Sequence, residues 1–257
     1  MEKHLIQPNL ADFPAEIVQY FENSTVYDSS SSDRAKVYFC DCGWFVKVAA
    51  KGMLKKEAIM SKRFYEIGLG VAVMEYLSTD RDYLVTAAAQ GQDMLSYLHD
   101  PELLCKILAE QLHKLHSLPA ENFPVSAAYE AYQKLAACDF TYEKTHPSML
   151  MKHFPIGSVA EAQALLRQNF EKLQANCLIH GDACLPNVIL KDRQFSSFID
   201  FDQSGLGDRH IDLFWAIWSL QYNLKTEAYT ELFLRIYGKD NYDPELIRTV
   251  AALEYLC

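Results

Sequence analysis

Apolar and polar residues alternate over short runs in the first ninety residues, then change to a helical period. Lys36-Val37-Tyr38-Phe39-Cys40 and Trp44-Phe45-Val46-Lys47-Val48 read as strands, and Asp41-Cys42-Gly43 between them is turn chemistry, so a hairpin is predicted. Residues 54 to 67 have helical spacing that stops at Gly68-Leu69-Gly70. Two more strands are predicted over 72–76 and 83–86, separated by the polar Ser78-Thr79-Asp80-Arg81-Asp82. From residue 92 the helical period takes over. Asp100-Pro101 supplies an N-cap and an N1 proline, and Leu104, Ile107, Leu108, Leu112 and Leu115 then share one face. Further helices are predicted over 126–138, 158–175, 212–224, 226–237 and from Asp243-Pro244 to the end. Cys177-Leu178-Ile179 and Ser197-Phe198-Ile199 read as short apolar strands. The pattern predicts an α+β chain with a small sheet-rich lobe carrying one helix over 1–88. A hinge near 86–91 and a larger, mainly helical lobe over 89–257 follow.

Composition narrows the class. Half of the 257 residues are hydrophobic and 23% are charged, an ordinary globular balance. No apolar stretch approaches the roughly 20 residues of a membrane helix, and the first eight residues lack the apolar run of a signal peptide. Seven cysteines without metal-type spacing read as reduced, structural thiols of a cytoplasmic protein. With 24 basic and 34 acidic residues the net charge is −10, which repels nucleic acid and favours a cationic small molecule as partner. Acidity of this size also serves solubility alone.

The strongest chemical signal is His180-Gly181-Asp182-Ala183-Cys184-Leu185-Pro186-Asn187 followed by Phe198-Ile199-Asp200. Asp182, in a loop after an apolar strand, is a candidate base for a hydroxyl proton. Asn187 and Asp200 offer oxygen ligands to a hard cation such as Mg2+. Taken singly, each of these is equally a loop-capping Asp or Asn; together and in this order they fit phosphoryl transfer from ATP. A cation for the nucleotide phosphates is then required. Lys47 ends an apolar strand run and must find an anion there. Glu57, in the next helix, is its candidate partner, with Lys55 and Lys56 as competitors for the carboxylate.

Other nucleotide contacts follow from position. The serine run containing Ser30 and Ser31 lies where a phosphate-covering loop belongs but lacks glycines; it reads as a phosphate loop or as a solvent loop. Phe45 fits either an adenine face or the core. The small residues Ala87, Ala88 and Ala89 leave backbone groups accessible to a base edge.

The octapeptide His180–Asn187 with Phe198-Ile199-Asp200 resembles the signature of the aminoglycoside phosphotransferases, specifically the 3′-type. Ala35-Lys36-Val37-Tyr38, Leu115-His116-Ser117-Leu118, Asp208-Arg209-His210-Ile211-Asp212 and Ala252-Leu253-Glu254-Tyr255-Leu256 resemble further family segments, so the likeness spans nearly the whole chain. The resemblance implies a two-lobed protein-kinase-like fold and transfer of the γ-phosphoryl group of ATP, with Mg2+, to an aminoglycoside hydroxyl, conferring antibiotic resistance. It casts Asp182 as base, Asn187 and Asp200 as magnesium ligands, Lys47 as the phosphate-binding lysine and Glu57 as its partner. Phe45 takes the adenine-stacking position, Ala87 to Ala89 the hinge, and Asp212 the support of the catalytic loop.

Acceptor recognition departs from the family pattern. The family binds its polycationic substrates with an acidic loop ahead of the catalytic motif and an acidic C-terminus. Here His146 to His153 contains no acid. Asp139 and Glu143 lie slightly earlier as substitutes, Glu254 is kept, and Arg209 reads either as a site residue or as an ion-pair partner of Asp208. Each lost carboxylate removes about 0.5 to 3 kcal/mol per ammonium, depending on burial. A kinase of the same fold acting on another small hydroxylated metabolite or antibiotic, with or without amines, is therefore the first alternative. A nucleotide-binding module without turnover is the second, and a metal hydrolase built on His180, Asp182 and Asp200 the third.

Overall fold

The alternating residues of the first ninety build one antiparallel sheet in the computed structural model, which describes residues 4–141 and 154–256. Its strands are β1 (His4–Leu5), β2 (Val26–Asp28), β3 (Ala35–Cys40), β4 (Trp44–Ala50), β5 (Val73–Ser78) and β6 (Arg81–Ala87), in the order β1-β2-β3-β4-β6-β5. The predicted hairpin is β3–β4, turning at Gly43 with a φ of 108° that favours glycine. Two helices accompany the sheet, a short α1 (Ala15–Val18) and α2 (Lys55–Glu66). Only the second was expected.

The period of two divides β4 between two environments. Val46 and Val48, with Tyr83 and Val85 of β6, pack against Ile17 and Phe21. Ala49 and Leu84 pack against Leu54 and Ala58 at the start of α2. Phe45 and Lys47 therefore share the α2-facing side of the sheet. The chain divides into two compact units, residues 1–90 with 197–202, and residues 91–196 with 203–257.

The second unit opens with β7 (Gln92–Asp93), followed by α3 (Pro101–His116), α4 (Ala127–Ala137) and α5 (Val159–Asn169). Four strands come next, β8 (Cys177–Ile179), β9 (Val188–Lys191), β10 (Gln194–Phe198) and β11 (Gly205–Gly207). Helices α6 (Arg209–Leu224), α7 (Thr230–Tyr237) and α8 (Pro244–Leu256) close the chain. β8 pairs with β11, and β9 with β7. Leu104, Leu108, Leu112 and Leu115 of α3 are all fully buried. Two helix starts differ from the sequence pattern for local reasons. Asp208 caps α6 by accepting the His210 N–H at 2.9 Å, so that helix begins before residue 212. Thr226 accepts the Ala228 N–H at 3.2 Å, a turn that delays α7 to Thr230. Among the described residues no helix is long and apolar enough to cross a membrane.

Asp82 fixes the start of α2. It is fully buried and accepts from the Leu54 N–H at 2.9 Å, the Ser78 hydroxyl at 2.7 Å and the Tyr76 hydroxyl at 3.2 Å. Burial acts to raise its pKa, but these donors outweigh it and the net direction is down. Asp82→Ala strands three donors and is expected to lower stability by about 2–4 kcal/mol. A urea midpoint equal to that of the wild type would contradict this account.

Candidate active site

Three residues of the first unit converge on one ammonium. Lys47 Nζ lies 3.0 Å from Glu57 Oε1, 2.9 Å from Glu57 Oε2 and 3.1 Å from Asp200 Oδ1. The sheet period turns Lys47 toward α2, and Glu57 sits in the first turn of that helix. Asp200 is held by its neighbours: the Phe198 N–H donates to the Leu69 carbonyl at 2.8 Å, and Phe201 stacks on Phe64 of α2 with centroids 4.3 Å apart. Asp200 has a φ of 66°, the left-handed region that Asp enters more readily than most residues. Burial acts to discharge Lys47, but Asp200 and Glu57 outweigh it and hold the ammonium charged. Burial pushes Glu57 up to about 7 against the pull of Lys47, and Asp200 adds to the push. Glu57, rather than leaving its carboxylate to Lys55 or Lys56, is thus paired with Lys47.

Around this ion cluster, Phe45 stands beside Lys47 on the same side of the sheet. Its ring lies 4.9 Å from Phe39, which in turn is 6.1 Å from Tyr27. The Ser30 hydroxyl oxygen accepts the Val37 N–H at 3.0 Å, and the Ser30 N–H donates to Asp28 at 3.0 Å. The serine segment is therefore a bonded turn at the mouth of β3, with Ser31 exposed on it. The Ala87 and Ala88 N–H groups are bonded to the Ala72 and Gly43 carbonyls, each at 2.8 Å.

In the second unit the loop after β8 is pinned at its start, middle and end. Asp212, fully buried, accepts the His180 N–H at 2.8 Å and the Gly181 N–H at 2.7 Å. The Leu185 N–H donates to the Ser219 hydroxyl at 2.9 Å. Asn187 Nδ2 donates to the Asp182 carbonyl at 3.0 Å and to Asp182 Oδ2 at 2.9 Å. Gly181 has a φ of 83°, and a Cβ there would come within 2.3 Å of the Gln203 carbonyl oxygen, so only glycine fits. Because both acceptors of Asn187 are oxygens, its amide nitrogen must face them and its carbonyl oxygen turns the other way. Asp182 and Asn187 are each half-buried and locked to one another.

Asp139 is exposed and held bidentate by Arg167, at 3.1 and 3.0 Å. Arg209 donates to the Asn241 carbonyl at 3.4 Å, whereas Asp208 is bonded to His210 and to the Gln174 N–H, so no Asp208–Arg209 pair forms the cap. Glu143 and the segment His146 to His153 lie outside the described residues. Glu254, on α8, receives the hydroxyl of the buried Tyr132. Burial pushes Glu254 up to about 7, opposed by Tyr132 and reinforced by the charge of Asp182.

The chain matches the model of the phosphotransferase enzyme family over residues 21–256. The chain belongs to this family. It is 35% identical to a probable aminoglycoside 3′-phosphotransferase of Lactococcus lactis over 96% of this chain and 95% of that one. It is 29% identical to an aminoglycoside 3′-phosphotransferase of Niallia circulans over 67% of this chain and 66% of the other. Among solved structures, an aminoglycoside-3′-phosphotransferase of type VIII superposes with a TM-score of 0.66 at 22% identity, covering 96% of both chains. Aminoglycoside phosphotransferase APH(3″)-Id of Streptomyces rimosus gives 0.68 at 18% identity over 91% of this chain and 94% of that one. The fold is that of these kinase-like enzymes.

Two contacts of this phosphotransferase escape sequence reading. Ser219 is one polar residue inside the apolar run of α6, a signal that would have marked it. Tyr132 faces Glu254 across elements 122 residues apart, and no local pattern announces that. The Glu254 carboxyl carries a pH dependence whose sign is fixed. Its folded pKa lies above the ordinary 4.5, so protonation favours the fold. That contribution is complete below about pH 4.5 and is lost as pH rises through about 7. Glu254→Gln mimics the protonated acid, so its melting temperature relative to wild type is expected to rise between about pH 4.5 and 7 and to level off above. A difference that stays flat across that range would refute the assignment.

Proposed function

We propose that this phosphotransferase moves the γ-phosphoryl group of ATP onto a hydroxyl of an aminoglycoside, as the names of its relatives describe for them. The observation that carries the reading is the Lys47 ammonium bonded to both Glu57 and Asp200. A charged lysine so placed is equipped to meet nucleotide phosphates, and Asp200 keeps a side chain 41% exposed for a cation. Asn187, through the carbonyl oxygen of its side chain, and Asp200 are each hard oxygen donors of the kind that would suit Mg2+. When bound, the magnesium ion neutralises charge on the β- and γ-phosphate oxygens.

The chain's own residues then divide the work. Lys47 binds and orients the phosphates, and Glu57 keeps its ammonium in place. Phe45, with Phe39 beside it, offers a ring face to the adenine, and the Ala89 N–H is the base-edge donor of the three hinge alanines. Ser31 offers its exposed hydroxyl to phosphate oxygens, whereas the Ser30 hydroxyl, which accepts the Val37 N–H, is also bonded to Asp28 and must exchange that partner to meet a phosphate. Asp182 accepts the acceptor's hydroxyl proton and aims its oxygen; the transition state is loose, so alignment matters as much as basicity. Glu254 and Asp182 supply negative charge to the substrate's ammonium groups. We assign the reaction to the cytoplasm.

One observation favours a shifted acceptor preference within the same chemistry. Asp139 is paired with Arg167 at the exposed surface, and residues 146–153 carry no acid of their own. The relevant experiment is ADP release from ATP and magnesium over a panel containing kanamycin, neomycin and unrelated amino alcohols. We expect stimulation by at least one aminoglycoside, and Asp182→Ala should bind ATP normally while losing at least about a hundredfold in rate. Stimulation confined to other alcohols would overturn the substrate, and a near-normal rate in Asp182→Ala would overturn the base.

A further inference from the structure

Three helix ends meet in the interior of the second unit. His116 is the last residue of α3, Tyr237 the last of α7, and Asp212 lies in the first turn of α6. Their exposures are 5%, 1% and 0%, so no water competes for their polar atoms. Tyr237 Oη lies 2.8 Å from His116 Nδ1, and His116 Nε2 lies 3.0 Å from Asp212 Oδ2. The same Asp212 carboxylate accepts the His180 and Gly181 N–H groups that begin the loop of Asp182.

For a neutral His116 ring, donor accounting along this chain of contacts leaves one arrangement. Asp212 already accepts two backbone protons, so its contact with His116 needs a proton on Nε2. A neutral ring then has a bare Nδ1, which must accept the Tyr237 proton. Arg209 hydrogen-bonds the same phenol, and its guanidinium can only donate, so the phenolic proton is left for His116. Burial raises the Tyr237 pKa further and keeps that proton in place. Without the phenol, a buried ring nitrogen would have no donor, and the ring would trade tautomers or turn from Asp212 to satisfy it.

We propose that Tyr237 is a positioning residue: by donating to His116 Nδ1 it fixes the Nε2-protonated imidazole that holds Asp212, and through Asp212 the backbone next to Asp182. This rests on the reading of Asp182 as the base. The full-length protein with 15N-labelled histidine reports the ring directly. The expected spectrum has His116 protonated at Nε2 and bare at Nδ1; a ring protonated at Nδ1 would overturn the proposal whatever the activity. In phosphoryl transfer, Tyr237→Phe is expected to lower kcat by about three- to tenfold with the KM for ATP unchanged. His116→Gln keeps a donor for Asp212 without a tautomer to fix, so in that background Tyr237→Phe should cost nothing more. An equal loss in both backgrounds would reduce Tyr237 to packing, and an unchanged kcat in the single variant would also overturn the role. If the wild type transferred to no acceptor, the phosphotransfer reading would fail while the ring spectrum still decided the relay.

Discussion

A single ammonium between two carboxylates organises the first unit. Lys47 is placed by the period of β4 on the side of the sheet that α2 covers, where an uncompensated charge would be strongly unfavourable. Glu57 answers it from α2, and Asp200 answers it from a segment 153 residues further along the chain. With Glu57 ionised, the three together carry one excess negative charge. That arrangement suits a site that is to receive a magnesium–nucleotide complex. The positions of α2 and of Asp200 are linked a second time through the Phe64–Phe201 stack, so the ion cluster is not left to electrostatics alone.

The loop that carries Asp182, the proposed base, is governed by similar pairing in the second unit. Asp212 spends its acceptors on the two N–H groups that precede Asp182, and Gly181 supplies the one backbone conformation that permits this. Asn187 then locks the far end of the loop to Asp182 itself. A base that must aim a hydroxyl benefits from such a frame, because misplacement by about 1 Å can cost a hundredfold in rate. Ser219, His116 and Tyr237 extend the frame into three helices, which explains polar residues buried in otherwise apolar helix faces.

Much of this was legible in the chain before any coordinates. Period-two alternation gave the β3–β4 hairpin, and Asp100-Pro101 gave the start of α3, because both signals are local. The close spacing of Asp182, Asn187 and Asp200 was legible as a motif for the same reason. Contacts made across the chain were not legible. Nothing near Asp200 announces that Phe198 and Phe201 anchor it beside Lys47, and nothing near Glu254 points to Tyr132. The start of α7 was misread because a threonine side chain competed locally with the helix. Asp139 read as a candidate substrate acid because sequence does not show that Arg167 engages it.

Lys47, held by Glu57 and Asp200, is proposed as the cation that orients the phosphates for transfer. The measurement that tests it most directly is magnesium–ATP turnover by Lys47→Met, with circular dichroism confirming that the variant is folded. A fall in kcat of at least about a hundredfold is the predicted result. A folded variant that turns over at a rate near that of the wild type would contradict the account.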